Sequence, residues 1–155
     1  IIASSKQQEM GLWRLREDTD VVYRTHPASP SYDVSVPLSE IDSYVAHILH
    51  GLAEIEPDLA PYLFGHLADG NLHIALNRTG PLNDSMASAV EAVLYDGLRE
   101  RGGSFSAEHG VGSKRIHSLM ATADPTKLSA MAQVKAALDG QGFMNPGKVL
   151  PPKRR

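Results

Sequence analysis

Seven histidines stand among the 155 residues, and two of them flank a turn-forming dipeptide in Gly65-His66-Leu67-Ala68-Asp69-Gly70-Asn71-Leu72-His73. Asp-Gly favours a type I′ hairpin turn because both positions tolerate positive φ. With Asp69 and Gly70 as the two loop residues, Ala68 pairs with Asn71, Leu67 with Leu72, and His66 with His73. Directly opposed Cβ atoms lie about 4.5–5.5 Å apart on one sheet face, which suits two imidazoles converging on one metal ion. A solvated or structural histidine pair is the alternative, since a bulge or a longer loop would shift one side chain to the other face.

A third ligand is available in Ser106-Ala107-Glu108-His109-Gly110-Val111-Gly112. Glu108 offers a hard oxygen, and two imidazoles with one carboxylate form a set used for zinc and for other divalent ions, with a position left open for water or substrate. Adjacent residues on an extended segment point to opposite sides, so His109 reads as a general base near neutral pH and not as a further ligand. The bland reading of Glu108-His109 is a surface pair on a loop. Gly110 and Gly112 form either an anion-binding nest near Lys114 or just a tight turn. Arg16, three residues after Trp13, offers a bidentate fork to a carboxylate substrate or is simply a charged helix end. His47, His50 and Glu54 have helical metal-site spacing, but His47 falls off the apolar stripe, so they read as a solvated face. His26 and His117 carry no pattern.

These side chains need elements to hold them. A helix is expected over Ser5 to Glu17, with Met10 and Trp13 on one side, followed by the Pro-rich link His26 to Pro30. Tyr32-Asp33-Val34-Ser35-Val36 alternates apolar and polar residues as a half-buried strand does, and Pro37 stops it. Ser39 is expected to cap the next helix, with Asp42 as a capping-box variant, and Ile41, Tyr44, Val45, Ile48, Leu49 and Leu52 supply its stripe. Tyr62 to Leu76 reads as the hairpin. Asn83 or Asp84 caps a helix with the stripe Met86, Ala89, Val90, Val93, Leu94, Gly97, Leu98, which Gly102-Gly103 ends. A short strand over Ser104 to Ala107, a helix over Ser113 to Ala121, and a last helix opened by Asp124-Pro125 and carrying Leu128, Met131, Val134 and Leu138 complete the chain. Few short strands among many helices imply an α+β fold, with helices packed on a small antiparallel sheet.

Composition narrows the function classes. The length suits one domain, residues 1–150, with a basic tail at 151–155. At 42% hydrophobic and 21% charged residues the chain can bury a core, and a net charge of -3 without a basic run argues against nucleic acid as a partner. Zero cysteine excludes a disulfide scaffold, a thiolate nucleophile and Cys-ligated metal, leaving histidine and carboxylate as the strong ligands. No apolar run approaches the ~20 residues of a transmembrane helix and no leader is visible, so a soluble, cytoplasmic protein is expected. The chain opens Ile1-Ile2 in place of Met, which suggests that an upstream portion is missing.

Five ordered motifs carry a resemblance: Trp13-x-x-Arg16-Glu17, Tyr32 to Pro37, Gly65-His66-x-x-Asp69-Gly70-Asn71-Leu72-His73, Ser106 to Gly112, and Asn145-Pro146-Gly147-Lys148-Val149-Leu150. From about Leu12 to Leu150 the chain closely resembles the FAD-linked oxidase C-terminal domain, whose group includes glycolate oxidase, D-lactate dehydrogenase and D-2-hydroxyglutarate dehydrogenase flavoproteins. The resemblance implies a ferredoxin-like substrate or cap domain packed over an upstream FAD-binding domain, and oxidation of a small D-2-hydroxy acid by hydride transfer to flavin, which a separate electron acceptor reoxidises. It also implies that His66, His73 and Glu108 hold a divalent ion, usually zinc, that His109 is the base, that Arg16 binds the substrate carboxylate, and that Asn145 lies close to the flavin. Two positions depart from it: Ser31 stands where several relatives carry a substrate-binding lysine, and Ala75 where some place a polar substrate contact. Both losses weaken the case for a dicarboxylate such as 2-hydroxyglutarate against a smaller or more apolar acid.

The isolated chain is therefore expected to be an inactive fragment of an FAD-dependent 2-hydroxyacid dehydrogenase, with an apolar face open to self-association. A stand-alone metal-binding or oligomerising module without redox activity is the alternative. A small metallohydrolase is the third, and it needs an enclosed pocket around a polarised water.

Overall fold

The computed structural model describes residues 2–18 and 20–152, so Ile1 and residues 153–155 of the basic tail lie outside the described residues. Strands β1 (Ser31–Ser35), β2 (Pro61–His66) and β3 (Asn71–Leu76) form an antiparallel sheet in the order β1-β3-β2. Around it run α1 (Lys6–Glu17), α2 (Asp20–Thr25), α3 (Ile41–Ile55), α4 (Asp84–Tyr95), α5 (Ile116–Thr122) and α6 (Pro125–Leu138). The succession β1-α3-β2-β3-α4 supplies five of the six elements of a ferredoxin-like βαββαβ arrangement. On the outer edge of β1, where the sixth would pair, Ser104 makes a single antiparallel bridge to Ser35. The α+β expectation holds, but the strand expected over Ser104 to Ala107 shrinks to that bridge. The Ser104 hydroxyl donates to the Ser106 carbonyl at 3.1 Å, which turns the chain away from the sheet.

One sheet face makes the core. Val34, Leu72, Ile74 and Leu76 pack with Tyr44, Ile48 and Leu52 of α3 and Val90 and Leu94 of α4, all buried. These are the strongest stripes in the sequence, and each fully buried aliphatic side chain contributes roughly 1.5–3 kcal/mol of transfer free energy. The Tyr44 hydroxyl, buried with its ring, donates to the Leu94 carbonyl at 2.8 Å and ties α3 to α4.

Two of the expected helix starts are as the sequence suggests: Asn83 Oδ1 accepts from Met86 N at 2.9 Å, and Asp124 Oδ1 accepts from Thr126 N at 2.7 Å with Pro125 at the first helical position. The cap expected from Ser39 is not made. Leu38–Glu40 is a 3-10 turn that runs straight into α3, which starts at Ile41 without a side-chain cap. The stripe of α1 stays uncovered, with Trp13 50% exposed; in α6, which also has no buried residue, Leu128 and Met131 pack partly buried against the core while Val134 is 58% exposed.

The hairpin is present but its turn is longer than a two-residue loop. Leu67–Asp69 forms a 3-10 turn closed by Gly70 in the left-handed region at φ 64°, so the last pair is His66 with Asn71, and Phe64 faces His73. Asp-Gly does supply the positive φ, but at Gly70 alone. Gly70 also lies against β1's extension, where Val36 N donates to its carbonyl at 3.0 Å, and any Cβ at this position would drive into the carbonyl oxygen of Val36. Gly70→Ala should therefore cost at least about 2 kcal/mol, combining left-handed backbone strain with that clash. Urea unfolding monitored by circular dichroism checks it, and a loss under about 0.5 kcal/mol would mean the turn relaxes freely.

Candidate functional site

The sheet face turned away from α3 and α4 is laid out by register in three rows across β1, β3 and β2. They are Ser35–Asn71–His66, Asp33–His73–Phe64 and Ser31–Ala75–Tyr62. His66 and His73 are thus diagonal neighbours and not directly opposed. The expected register is off by two residues, and because the side-chain period of a strand is two, an even shift leaves both imidazoles on one face. Their ring centroids are 5.7 Å apart with planes at 82°.

Residues 106–112 carry Glu108 onto this pair. His66 Nε2 lies 3.2 Å from Glu108 Oε1, and His73 Nε2 lies 3.8 Å from Glu108 Oε2. One ligand atom from each of the three lies within 4.8 Å of the others. Two donors each about 2.1 Å from an ion and at the tetrahedral angle stand about 3.4 Å apart, a value that the two shorter separations bracket. Ligand types and spacing both suit a divalent cation with borderline or harder preference. His73 is the most covered of the three at 19% exposed, while His66 and Glu108 are each 45% exposed, so the set opens to one side.

What holds the loop is Asp33, which is fully buried on the same sheet face. Its Oδ2 accepts the backbone N–H of Glu108 at 2.6 Å and of His109 at 3.1 Å. Its Oδ1 accepts from Arg115 Nη1 and lies 3.1 Å from His109 Nδ1. Burial alone would raise the carboxyl, but the Glu108 N–H, the Arg115 guanidinium and the His109 N–H outweigh it and hold Asp33 below the ordinary aspartate range. Arg115 also donates to Ser106 Oγ at 3.0 Å, fastening the start of the loop to its end. His109 in turn stacks beside His73, centroids 5.8 Å apart at 21°, so the expected base sits next to the expected ligands.

The remaining expectations fall elsewhere. Arg16 lies on exposed α1 with its guanidinium 5.6 Å from the centroid of the Trp13 ring. Asn145 is exposed at φ 47° in a C-terminal turn, its carbonyl accepting from Lys148 N at 3.2 Å. His47 faces Asp96 at 3.5 Å and His50 faces Glu54 at 3.4 Å, two separate pairs with no common centre. Gly110 and Gly112 both take positive φ, at 66° and 55°, as a tight turn requires.

Sequence reasoning assigned no role to Asp33, Arg115 or Asn71. Asn71 is 3% exposed between Ser35 and His66, with neither amide atom hydrogen-bonded. A signal for Asp33 did exist: it shares strand parity with Ser31 and Ser35 on the polar face of β1. Reading it required knowing that β1 lies beside β3 and brings Asp33 level with His73.

A family described as FAD linked oxidases, C-terminal domain, matches residues 1–149. The chain is 32% identical to the mitochondrial D-2-hydroxyglutarate dehydrogenase of Arabidopsis thaliana, over 97% of this chain and 26% of that protein. It is 31% identical to the D-2-hydroxyglutarate dehydrogenase of Stutzerimonas stutzeri, over 96% of this chain and 33% of that protein. For the D-2-hydroxyglutarate dehydrogenase of Xanthomonas citri pv. viticola the identity is 36%, over 96% of this chain and 32% of that protein. The chain thus spans between a quarter and a third of the length of these curated relatives. Among the described residues no helix is long and apolar enough to cross a membrane.

Arg115→Met tests the clamp. It leaves the buried Asp33 carboxylate without its side-chain cation, and one-sided breaking of a buried pair costs about 3 kcal/mol at neutral pH. A carboxyl held low in the folded state stabilises the fold above its unfolded value near 4, and that contribution fades as pH falls through the folded value. The difference between wild type and variant should therefore shrink in denaturation series run below about pH 4. A deficit constant down to pH 2 would show that Arg115 acts by packing alone.

Proposed function

As the chain belongs to the FAD linked oxidase C-terminal domain family, we propose that it is the substrate- and metal-binding part of an FAD-dependent oxidoreductase that converts a D-2-hydroxy acid to the 2-oxo acid. The observation that supports this most is the convergence of His66, His73 and Glu108 on one point of the sheet face, with His109 stacked beside them. A ligand set alone would fit many roles. Ligands, an adjacent unshared imidazole and membership in a flavin-linked family together favour oxidation of an alcohol carbon.

In this reading His66, His73 and Glu108 hold a divalent ion, zinc by preference of the nitrogen-rich set. When bound, the ion supplies Lewis acidity toward the substrate's α-hydroxyl, and FAD, held mainly by residues outside this chain, supplies the two-electron acceptor for the α-hydrogen. His109 takes the hydroxyl proton at a ring nitrogen, leaving the electron pair to form the carbonyl as the α-hydrogen departs. Arg16 pairs with the substrate carboxylate and Asn145 lies toward the flavin. The names of the relatives make D-2-hydroxyglutarate the first acid to assay. Ser31 and Ala75, opposed across β1 and β3 in the row next to Asp33–His73–Phe64, offer no charge for a second carboxylate, so D-lactate stands beside it as the shorter acid.

The test uses the full-length protein that carries this chain. Flavin absorbance, bleached anaerobically by D-2-hydroxyglutarate or D-lactate, is expected, and His73→Ala should weaken metal binding at least about 100-fold, since losing even an outer partner of a ligand costs 10–100-fold. A protein with stoichiometric metal and no flavin would favour the stand-alone module. Unchanged metal content in His73→Ala would refute the ligand set.

A further inference from the structure

Asp33 is buried and four groups converge on its carboxylate: the main-chain N–H groups of Glu108 and His109 and the Arg115 guanidinium donate to it, and His109 Nδ1 lies 3.1 Å from Oδ1. None of these partners comes from the strands beside it. All four belong to residues 108–115, the segment that brings Glu108 and His109 to the sheet. A carboxylate placed merely to stabilise a loop would need one or two of these bonds. This one reads both the backbone under Glu108 and one particular nitrogen of the adjacent imidazole.

We propose that Asp33 is the positioning residue of the site: it sets where Glu108 presents its carboxylate and fixes His109 as the Nδ1–H tautomer, so that Nε2 is the nitrogen offered to substrate. An ionised carboxylate only accepts, so the ring nitrogen facing it at 3.1 Å carries the hydrogen. In the neutral ring the other nitrogen then holds a lone pair. Stacking on His73 fixes the plane of the ring, and Asp33 fixes its rotation within that plane. One side chain thereby couples the ligand set to the base, which puts the two functions at a constant separation. The catalytic consequence rests on the reading of His109 as the base; the tautomer itself does not.

Two measurements on the full-length protein separate these claims. In histidine-15N-labelled protein, two-bond 1H–15N correlations should show His109, assigned by its loss in His109→Gln, protonated at Nδ1. This readout needs neither metal, flavin nor substrate. An Nε2–H or mixed pattern overturns the proposal whatever the protein catalyses. In Asp33→Asn the carboxamide presents an N–H to His109, reversing the tautomer, and kcat for the D-2-hydroxy acid should fall roughly 10²- to 10⁴-fold, the contribution of a general base. KM should stay within about threefold, because binding is retained while a transition-state interaction is lost. A folded, metal-loaded Asp33→Asn with kcat within threefold of wild type overturns the positioning role. If that variant does not fold, the tautomer measurement on the unmodified protein still decides.

Discussion

The site depends on one buried carboxylate. Past the single bridge of Ser104 to Ser35, residues 106–115 make no backbone pairing with β1, β2 or β3. What holds them is Asp33, which combines main-chain acceptance at Glu108 and His109 with a charge-assisted bond to Arg115. A buried carboxylate is costly unless its lone pairs are used, and here two main-chain N–H groups and Arg115 of one segment donate to it, with His109 Nδ1 3.1 Å away. The same arrangement lets the segment be irregular, with Phe105 buried in the core and the Gly112 carbonyl accepting from Val149 N as further attachments.

The sheet contributes parity. Successive residues of a strand alternate faces, so Val34, Leu72, Ile74 and Leu76 go to α3 and α4 while Asp33, Asn71 and His73 go to the other side. Alternation in Tyr32 to Val36 and the apolar stripe of α3 were legible because they follow directly from these periods. The face of His66 and His73 was legible as well, although the register behind it was not. The four-residue connection moved the pairing by an even number, and an odd one would have sent one imidazole into the core face. Turn length is where local signals are weakest, because Asp-Gly serves both the two-residue loop and the longer one that ends on a left-handed glycine.

Other features could not be read from local pattern. The polar face of β1 looks solvent-facing in sequence, and Asp33 is buried only because a segment about 75 residues later folds over it. Strands of a ferredoxin-like unit pair out of sequence order, so the level of Asp33 with His73 is a property of topology. The helices α1 and α6 were legible but not how far their stripes are covered: Trp13 of α1 is 50% exposed, and in α6 Leu128 and Met131 pack against the core while Leu138 is 78% exposed. Periodicity reports that a face is apolar and says nothing of what lies against it.

The openness of the cluster weighs between chemistries. A hydrolase using two histidines and a glutamate would generate its nucleophile from a polarised water and would need walls to keep bulk solvent from competing. Here His66, Glu108 and His109 are 45%, 45% and 55% exposed, and only His73 is largely covered. Such an open surface supplies no walls of its own. A three-stranded sheet with α3 and α4 on one face has only its other face to offer, and Asp33 on that face holds the segment that carries Glu108 and His109 to it.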